Sequence, residues 1–345
     1  MKARSSTEVQ LMTEDEVLSL AQGFLMSHGL NAAQAASVAM MLAAAERDGS
    51  LSHGLQRLPG TLETMAHPQF NKNADPQPEG KTAAFTSVDA DFGFSCLGAE
   101  RGLAGLIASA KALGIGILTV RNGFHSTALW PVIERIAEQG LVALSMNPTH
   151  AWVAPAGGTK GLLGTNPMAF AWPRAKHPPY VFDFATTAAA RADIALARDQ
   201  SRPIPEGWGL DPNGTPTTDP AQVMAGVMLP FGGHKGSALA TMIELMAGPM
   251  IGDMSSRQSM DFDQGARAAP CHGELILALS PELIGGAGAV SRAEDIFAGF
   301  AAQNARLPGS RRYAIRAENI ENGIPVSTTL LGRISALMGK DAIKA

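Results

Sequence analysis

Between Arg47 and Gly60 the chain reads RDGSLSHGLQRLPG. Six residues there carry a hydroxyl at Ser52, an imidazole at His53 and a guanidinium at Arg57, among glycines that keep the backbone open. The set suits one task. Arg57 grips a small carboxylate bidentately, His53 donates a proton beside it, and Ser52 orients the imidazole. Alone, the stretch reads better as a capping serine, a half-buried histidine and a surface arginine. Four later segments return to the same theme.

In RNGFHSTALW, residues 121–130, a buried strand gives way to a helix. His125, Ser126 and Thr127 then stand at a helix N-terminus, which favours anions, and Ser126 or Thr127 is expected to cap it. In VFDFATTAAARAD, Asp183 ends an apolar strand, a common place for a ligand contact. Asp193, inside the Ala-rich run that follows, can fix the tautomer of His53 if the fold joins them. In LPFGGHKGSAL, three glycines surround His234 and Lys235 just before a helix, as in a phosphate cradle. The residue order is not that of a Walker loop, and nowhere does GxGxxG follow a strand. In RLPGSRR, Arg306, Arg311 and Arg312 flank a Pro-Gly turn and suit a ribose 2′-phosphate. Metal ligation is not expected, since the eight histidines are scattered and no HExxH occurs.

The elements that must position these groups follow from periodicity. Thr13 and Glu16 have capping-box spacing ahead of an apolar stripe over 14–28, and Asn31 caps a second helix that ends at Gly49. A short helix is expected over 57–66 and a polar surface connection over 68–82. Strands are expected at 83–88, 115–120, 141–146, 168–172, 180–184 and 274–279. Helical stripes run through Leu103–Leu113, Leu129–Ile136 and Leu239–Met246, with further helices near 291–304 and 328–338. This is a mixed α/β or α+β chain.

The chain has 345 residues, 46% of them hydrophobic, enough for a large core and more than one domain. A net charge of −4 argues against a nucleic-acid surface. The amino-terminal segment lacks the apolar core of a signal peptide, and the apolar windows are broken by charge, so a cytoplasmic protein is expected. Cys96 and Cys271 have no CxxC spacing and read as buried thiols.

The blocks RDGSLSHG, HSTALWP with EQGLVALSM, LGTNP, FDFAT, LPFGGHKGSAL and RLPGSRRY, in this order, resemble the type-2 malate/L-lactate dehydrogenase superfamily. Within it they are most similar to the Δ1-piperideine-2-carboxylate/Δ1-pyrroline-2-carboxylate reductase branch. The resemblance implies a non-Rossmann NADPH-binding fold with a largely antiparallel central sheet and a helical domain formed by both chain ends. The corresponding division is 1–115 with 305–345 for substrate, and 116–304 for nucleotide. It also implies a homodimer with the site in a cleft between domains. Carried over, His53 is the proton donor, with Ser52 and Asp193 as its relay. Arg57, Thr165, Arg191 and Ala192 face substrate. The nucleotide, NADPH with NADH as the alternative, lies along His125, Ser126, Thr127, Ala128, Leu129 and Trp130, and near Thr149. It also meets Asp183, Phe184 and Ala185, then His234 and Lys235. Arg306, Leu307, Pro308, Gly309, Ser310, Arg311 and Arg312 complete its contacts.

Aspartate at 193 separates the imine reductases from malate- and lactate-type relatives, which carry lysine there. Arg191–Ala192 replaces the His-Gly usual in that branch, and Ser126 replaces an aromatic residue. Both changes bear on the ring size and substituents of the substrate. The expected reaction is reduction of a cyclic α-imino acid to L-proline or L-pipecolate. A 2-hydroxy-acid dehydrogenase and a nucleotide-binding regulator without turnover are the alternatives.

Overall fold

The computed structural model describes residues 8–339. Met1–Thr7, part of the segment read for a signal peptide, lies outside them. After β1 (Val9–Met12), α1 (Glu14–Ser27) opens on the expected capping box. Thr13 Oγ1 accepts the Glu16 N–H, and the Glu16 carboxylate accepts the Thr13 N–H at 2.7 Å. Asn31 caps α2 (Ala32–Arg47) by accepting the Gln34 N–H at 2.9 Å. Two 3-10 turns, Leu51–His53 and Leu55–Arg57, precede α3 (Leu58–Met65). The stretch with the candidate acid is therefore a pair of tight turns between helices.

The surface connection expected over 68–82 carries a strand, β2 (Pro78–Thr82), which pairs with β3 (Phe85–Asp89). All five β2 residues are exposed, so no apolar alternation marks the strand. Pro78 sits at its first position, where an edge strand tolerates a missing N–H. Then come α4 (Ser95–Leu113), β4 (Ile115–Phe124), α5 (Trp130–Ala137), β5 (Val142–Met146), β6 (Met168–Trp172) and β7 (Tyr180–Phe184). A smaller lobe follows, with α6 (Arg191–Asp199), β8 (Gly209–Leu210), α7 (Pro220–Ala225) and β9 (Val227–Met228). The chain continues through α8 (His234–Ala247), α9 (Ser256–Asp263), β10 (Cys271–Leu279), α10 (Pro281–Gly285), α11 (Ala289–Arg292) and α12 (Glu294–Ala302). It closes with α13 (Ser310–Asn322), β11 (Ile324–Ser327) and α14 (Thr328–Met338).

Seven strands form one sheet in the order β2-β3-β4-β10-β5-β6-β7. β3 and β4 run parallel through the α4 crossover, and the other neighbours are antiparallel. The sheet continues across residue 115, because β3 pairs with β4. Alternation along β10 separates two apolar layers. Ile276 and Ala278 join the main core, while Leu275 packs with Ile243 and Ala247 of α8. A third cluster, around Val153, Ile194, Val223 and Met228, holds the smaller lobe together.

The C-terminal segment returns to the start of the chain, where β11 pairs antiparallel with β1. The basic stretch read as a turn is a turn only to Gly309, and Ser310 begins α13. Both cysteines are buried. Among the described residues no helix is long and apolar enough to cross a membrane.

Candidate active site

The end of α2 holds the Ser52–Arg57 turns from below. Glu46 Oε2 accepts the Leu55 N–H at 2.8 Å, and a Cβ at position 54 would run into that carboxylate, so Gly54 leaves the room it needs. Burial pushes the Glu46 carboxyl up to about 7, against the lowering by the Leu55 N–H. Above it, Ser52 Oγ lies 3.1 Å from His53 Nδ1, and Arg57 Nε donates to the Ser52 carbonyl at 2.7 Å. The rest of the guanidinium meets no carboxylate among the described residues. Burial holds its pKa below the ordinary arginine value. Burial also pushes His53 down to about 3, helped by the Arg57 and His125 charges. At neutral pH its imidazole is uncharged.

The segment from His125 to Trp130 departs from expectation. Neither Ser126 nor Thr127 caps α5; both hydroxyls are buried without a partner among the described residues. The helix end is held from β7, where Asp183 Oδ2 accepts the N–H groups of Leu129 at 2.9 Å and Trp130 at 3.1 Å. One carboxylate oxygen at the positive end of the helix serves both donors. His125 has Ser95 Oγ 2.8 Å from Nδ1 and the Thr127 carbonyl 2.9 Å from Nε2. Behind it, Glu274 approaches Nδ1 at 3.7 Å and accepts the Ser145 hydroxyl at 2.9 Å.

The Arg312 guanidinium lies 4.8 Å over the Trp130 ring, and its Nε is buried without a partner among the described residues. Arg306 and Arg311 are exposed, with no ion pair among the described residues. Thr149 Oγ1 accepts the Thr165 N–H at 2.8 Å, and Thr186 in turn donates its N–H to the Thr165 carbonyl. At the start of α8, Gly232 and Gly233 have φ of 57° and 59°, and no side chain caps the helix. His234 and Lys235 are exposed there.

Asp193 is not joined to His53 within the chain. It stands exposed in the first turn of α6, and its carboxylate has no hydrogen bond or ion pair among the described residues. α6 packs with α7 in the smaller lobe, and that lobe has its own core. Ala192 is exposed beside it. Arg191 instead lies 4.2 Å over the Trp152 ring, near enough to His150 to lower its pKa, although burial is the larger cause. Sequence reasoning did not find Glu46 or Glu274. Glu46 lies in an Ala-rich helix, and Glu274 in a strand whose polar positions look like ordinary alternation.

The malate/L-lactate dehydrogenase family model matches residues 12–335. The Δ1-pyrroline-2-carboxylate reductase of Pseudomonas fluorescens is 46% identical, over 96% of this chain and 100% of that protein. The Δ1-pyrroline-2-carboxylate/Δ1-piperideine-2-carboxylate reductase of Pseudomonas aeruginosa is 45% identical, over 95% of this chain and 99% of that protein. Among solved structures, Δ1-piperideine-2-carboxylate reductase from Pseudomonas syringae superposes with a TM-score of 0.92 at 38% identity, covering 95% of this chain and 99% of that one.

Proposed function

This chain belongs to the malate/L-lactate dehydrogenase family, and from that we propose that it is a nicotinamide-dependent reductase of cyclic α-imino acids. The substrates are Δ1-pyrroline-2-carboxylate, Δ1-piperideine-2-carboxylate or both, and the products L-proline and L-pipecolate. One observation carries the reading. Arg57 is a half-buried guanidinium whose only acceptor among the described residues is the Ser52 carbonyl, and it stands beside an imidazole. A substrate carboxylate supplies the missing anion.

The donors left over suit a dinucleotide. Ser126 Oγ, Thr127 Oγ1 and Arg312 Nε are buried without partners among the described residues, and the uncapped start of α8 favours a phosphate. His125–Trp130, Thr149, Asp183–Ala185, His234, Lys235 and Arg306–Arg312 would hold it. The free Arg306 and Arg311 favour NADPH over NADH. When bound, the nicotinamide supplies hydride for the C=N carbon.

The chain's own part is the proton. Arg57 fixes the carboxylate and thereby the ring. As that anion offsets the Arg57 charge, His53 regains basicity, takes up a proton and donates it to the ring nitrogen. The iminium so formed accepts hydride far more readily than the neutral imine. Ser52 orients the ring of His53. In this scheme Asp193 completes the relay, which requires α6 to approach the loop on closure. Residues 116–304 would form the nucleotide-binding part. Exposed apolar side chains such as Leu245 and Met250 support a homodimer.

Oxidation of NADPH, followed by absorbance with the five- and six-membered imines, pyruvate and oxaloacetate side by side, tests the reading. Turnover of an imine well above the two keto acids is expected. Preference for a keto acid would move the chain to the 2-hydroxy-acid dehydrogenases.

A further inference from the structure

A buried charge network outside the residues named so far ties the catalytic turns to the nucleotide segment. Asp48, at the C-terminal cap of α2, has a fully buried carboxylate. Its Oδ1 accepts Arg47 Nε and Arg316 Nε, each at 2.8 Å. Its Oδ2 accepts Arg316 Nη2 at 2.5 Å and the Trp130 indole N–H at 3.2 Å. Arg316 also forks onto Glu134 of α5, at 2.6 Å from Nη1 and 2.8 Å from Nη2. Beside this, Asn319 donates to the Arg47 carbonyl at 2.6 Å, closing the end of α2. At Gly49 (φ 71°) a Cβ would press on Ile315 of α13 at 2.9 Å, so the two segments meet closely where the loop begins.

Trp130 is consequently held from two sides. Asp48 takes its indole, and Asp183 of β7 takes its backbone. One turn before Arg316 on α13, Arg312 lies over the same indole ring. A bidentate guanidinium between two carboxylates fixes direction as well as distance, which an ammonium cannot do.

We propose that Arg316 is a positioning residue: through Asp48 and Glu134 it sets the Ser52–Arg57 turns against the His125–Trp130 segment. This rests on the proposed function for its kinetic consequence, but its geometric consequence stands apart from any substrate. Among the described residues the charged and titratable groups that bear on His53 are Arg57 in its own loop and His125 from the β4–α5 connection; Glu46 lies under the adjoining Gly54. Loosening the clamp moves the imidazole away from the first two and into water.

The test uses the full chain with Arg316→Lys, which keeps the charge and loses the forks. Asp48→Asn, which keeps shape and one acceptor oxygen, serves if the lysine variant does not fold. Two readouts are taken: NMR titration of His53 in histidine-labelled protein, and kcat and KM for imine reduction. A folded variant is expected to show the His53 midpoint raised by at least one pH unit. Imine kcat/KM should fall at least tenfold, and the NADPH Kd should change less than threefold. The titration decides. An unmoved His53 midpoint in a folded variant overturns the proposal, even if Tm drops, because a merely stabilising ion pair would give that result. A parent protein that reduces neither imine would refute the proposed function and leave this test standing.

Discussion

Asp183 on β7 holds the backbone of Trp130 across 53 positions of sequence, with its Oδ2 3.1 Å from the Trp130 nitrogen and 2.9 Å from that of Leu129. A carboxylate on a strand thus does the work expected of Ser126 or Thr127, whose hydroxyls have no partner among the described residues. Asp183→Ala should strand two buried N–H groups at about 1–3 kcal/mol each. Stability should fall by the sum, about 2–6 kcal/mol, in urea denaturation, and NADPH affinity by at least tenfold in fluorescence titration. Asp183→Asn keeps an acceptor and should lose less on both measures.

Carboxylate binding at Arg57 should draw a proton onto His53. In the free protein His53 is held at about 3 by burial and the charges of Arg57 and His125. Calorimetry with L-proline in buffers of different ionisation enthalpy should show net proton uptake near pH 6. The uptake should vanish in His53→Ala, whose turnover should fall on the order of 10²–10⁴-fold while NADPH still binds. In Arg57→Met the substrate KM should rise at least tenfold.

Asp193→Asn separates a closing relay from a bystander. If α6 closes on the loop during turnover, kcat should fall at least tenfold with NADPH affinity unchanged. Stopped-flow single turnovers read the step directly. A variant with parental kcat would remove Asp193 from the proton path and leave Ser52 as the only group orienting His53.

Glu46 should make the catalytic turns less stable as pH rises. Its folded pKa of about 7 lies above the ordinary 4.5, so between those values the folded state holds a proton that the unfolded state has lost. The stability is fully present below pH 4.5 and is lost as pH rises toward 7. The shift corresponds to about 3 kcal/mol. Glu46→Gln should flatten the fall in denaturation free energy between pH 5 and pH 8 relative to the parent. Equal slopes would show that Glu46 does not titrate in this window.

Arg306 and Arg311 are exposed, with no ion pair among the described residues. Replacing both with serine should raise the KM for NADPH by tenfold or more and that for NADH by less than twofold. A parallel rise in both would place the 2′-phosphate elsewhere.

What could be read directly from the chain was local. The Thr13–Glu16 box, the Asn31 cap and the strands at 168–172 and 180–184 follow from capping chemistry and alternation within a few residues. The Ser52–His53–Arg57 set was visible because its members are close in sequence. β2 escaped notice because a fully exposed edge strand has no apolar rhythm. Only the tertiary structure paired Asp183 with Trp130, brought Arg316 to Asp48 from 268 positions away, and left Asp193 in another lobe. Such pairings depend on which faces meet when helices and sheet bury their apolar sides. No short window of sequence carries that information, since the same arginine or aspartate looks like a solvated surface residue until its partner arrives.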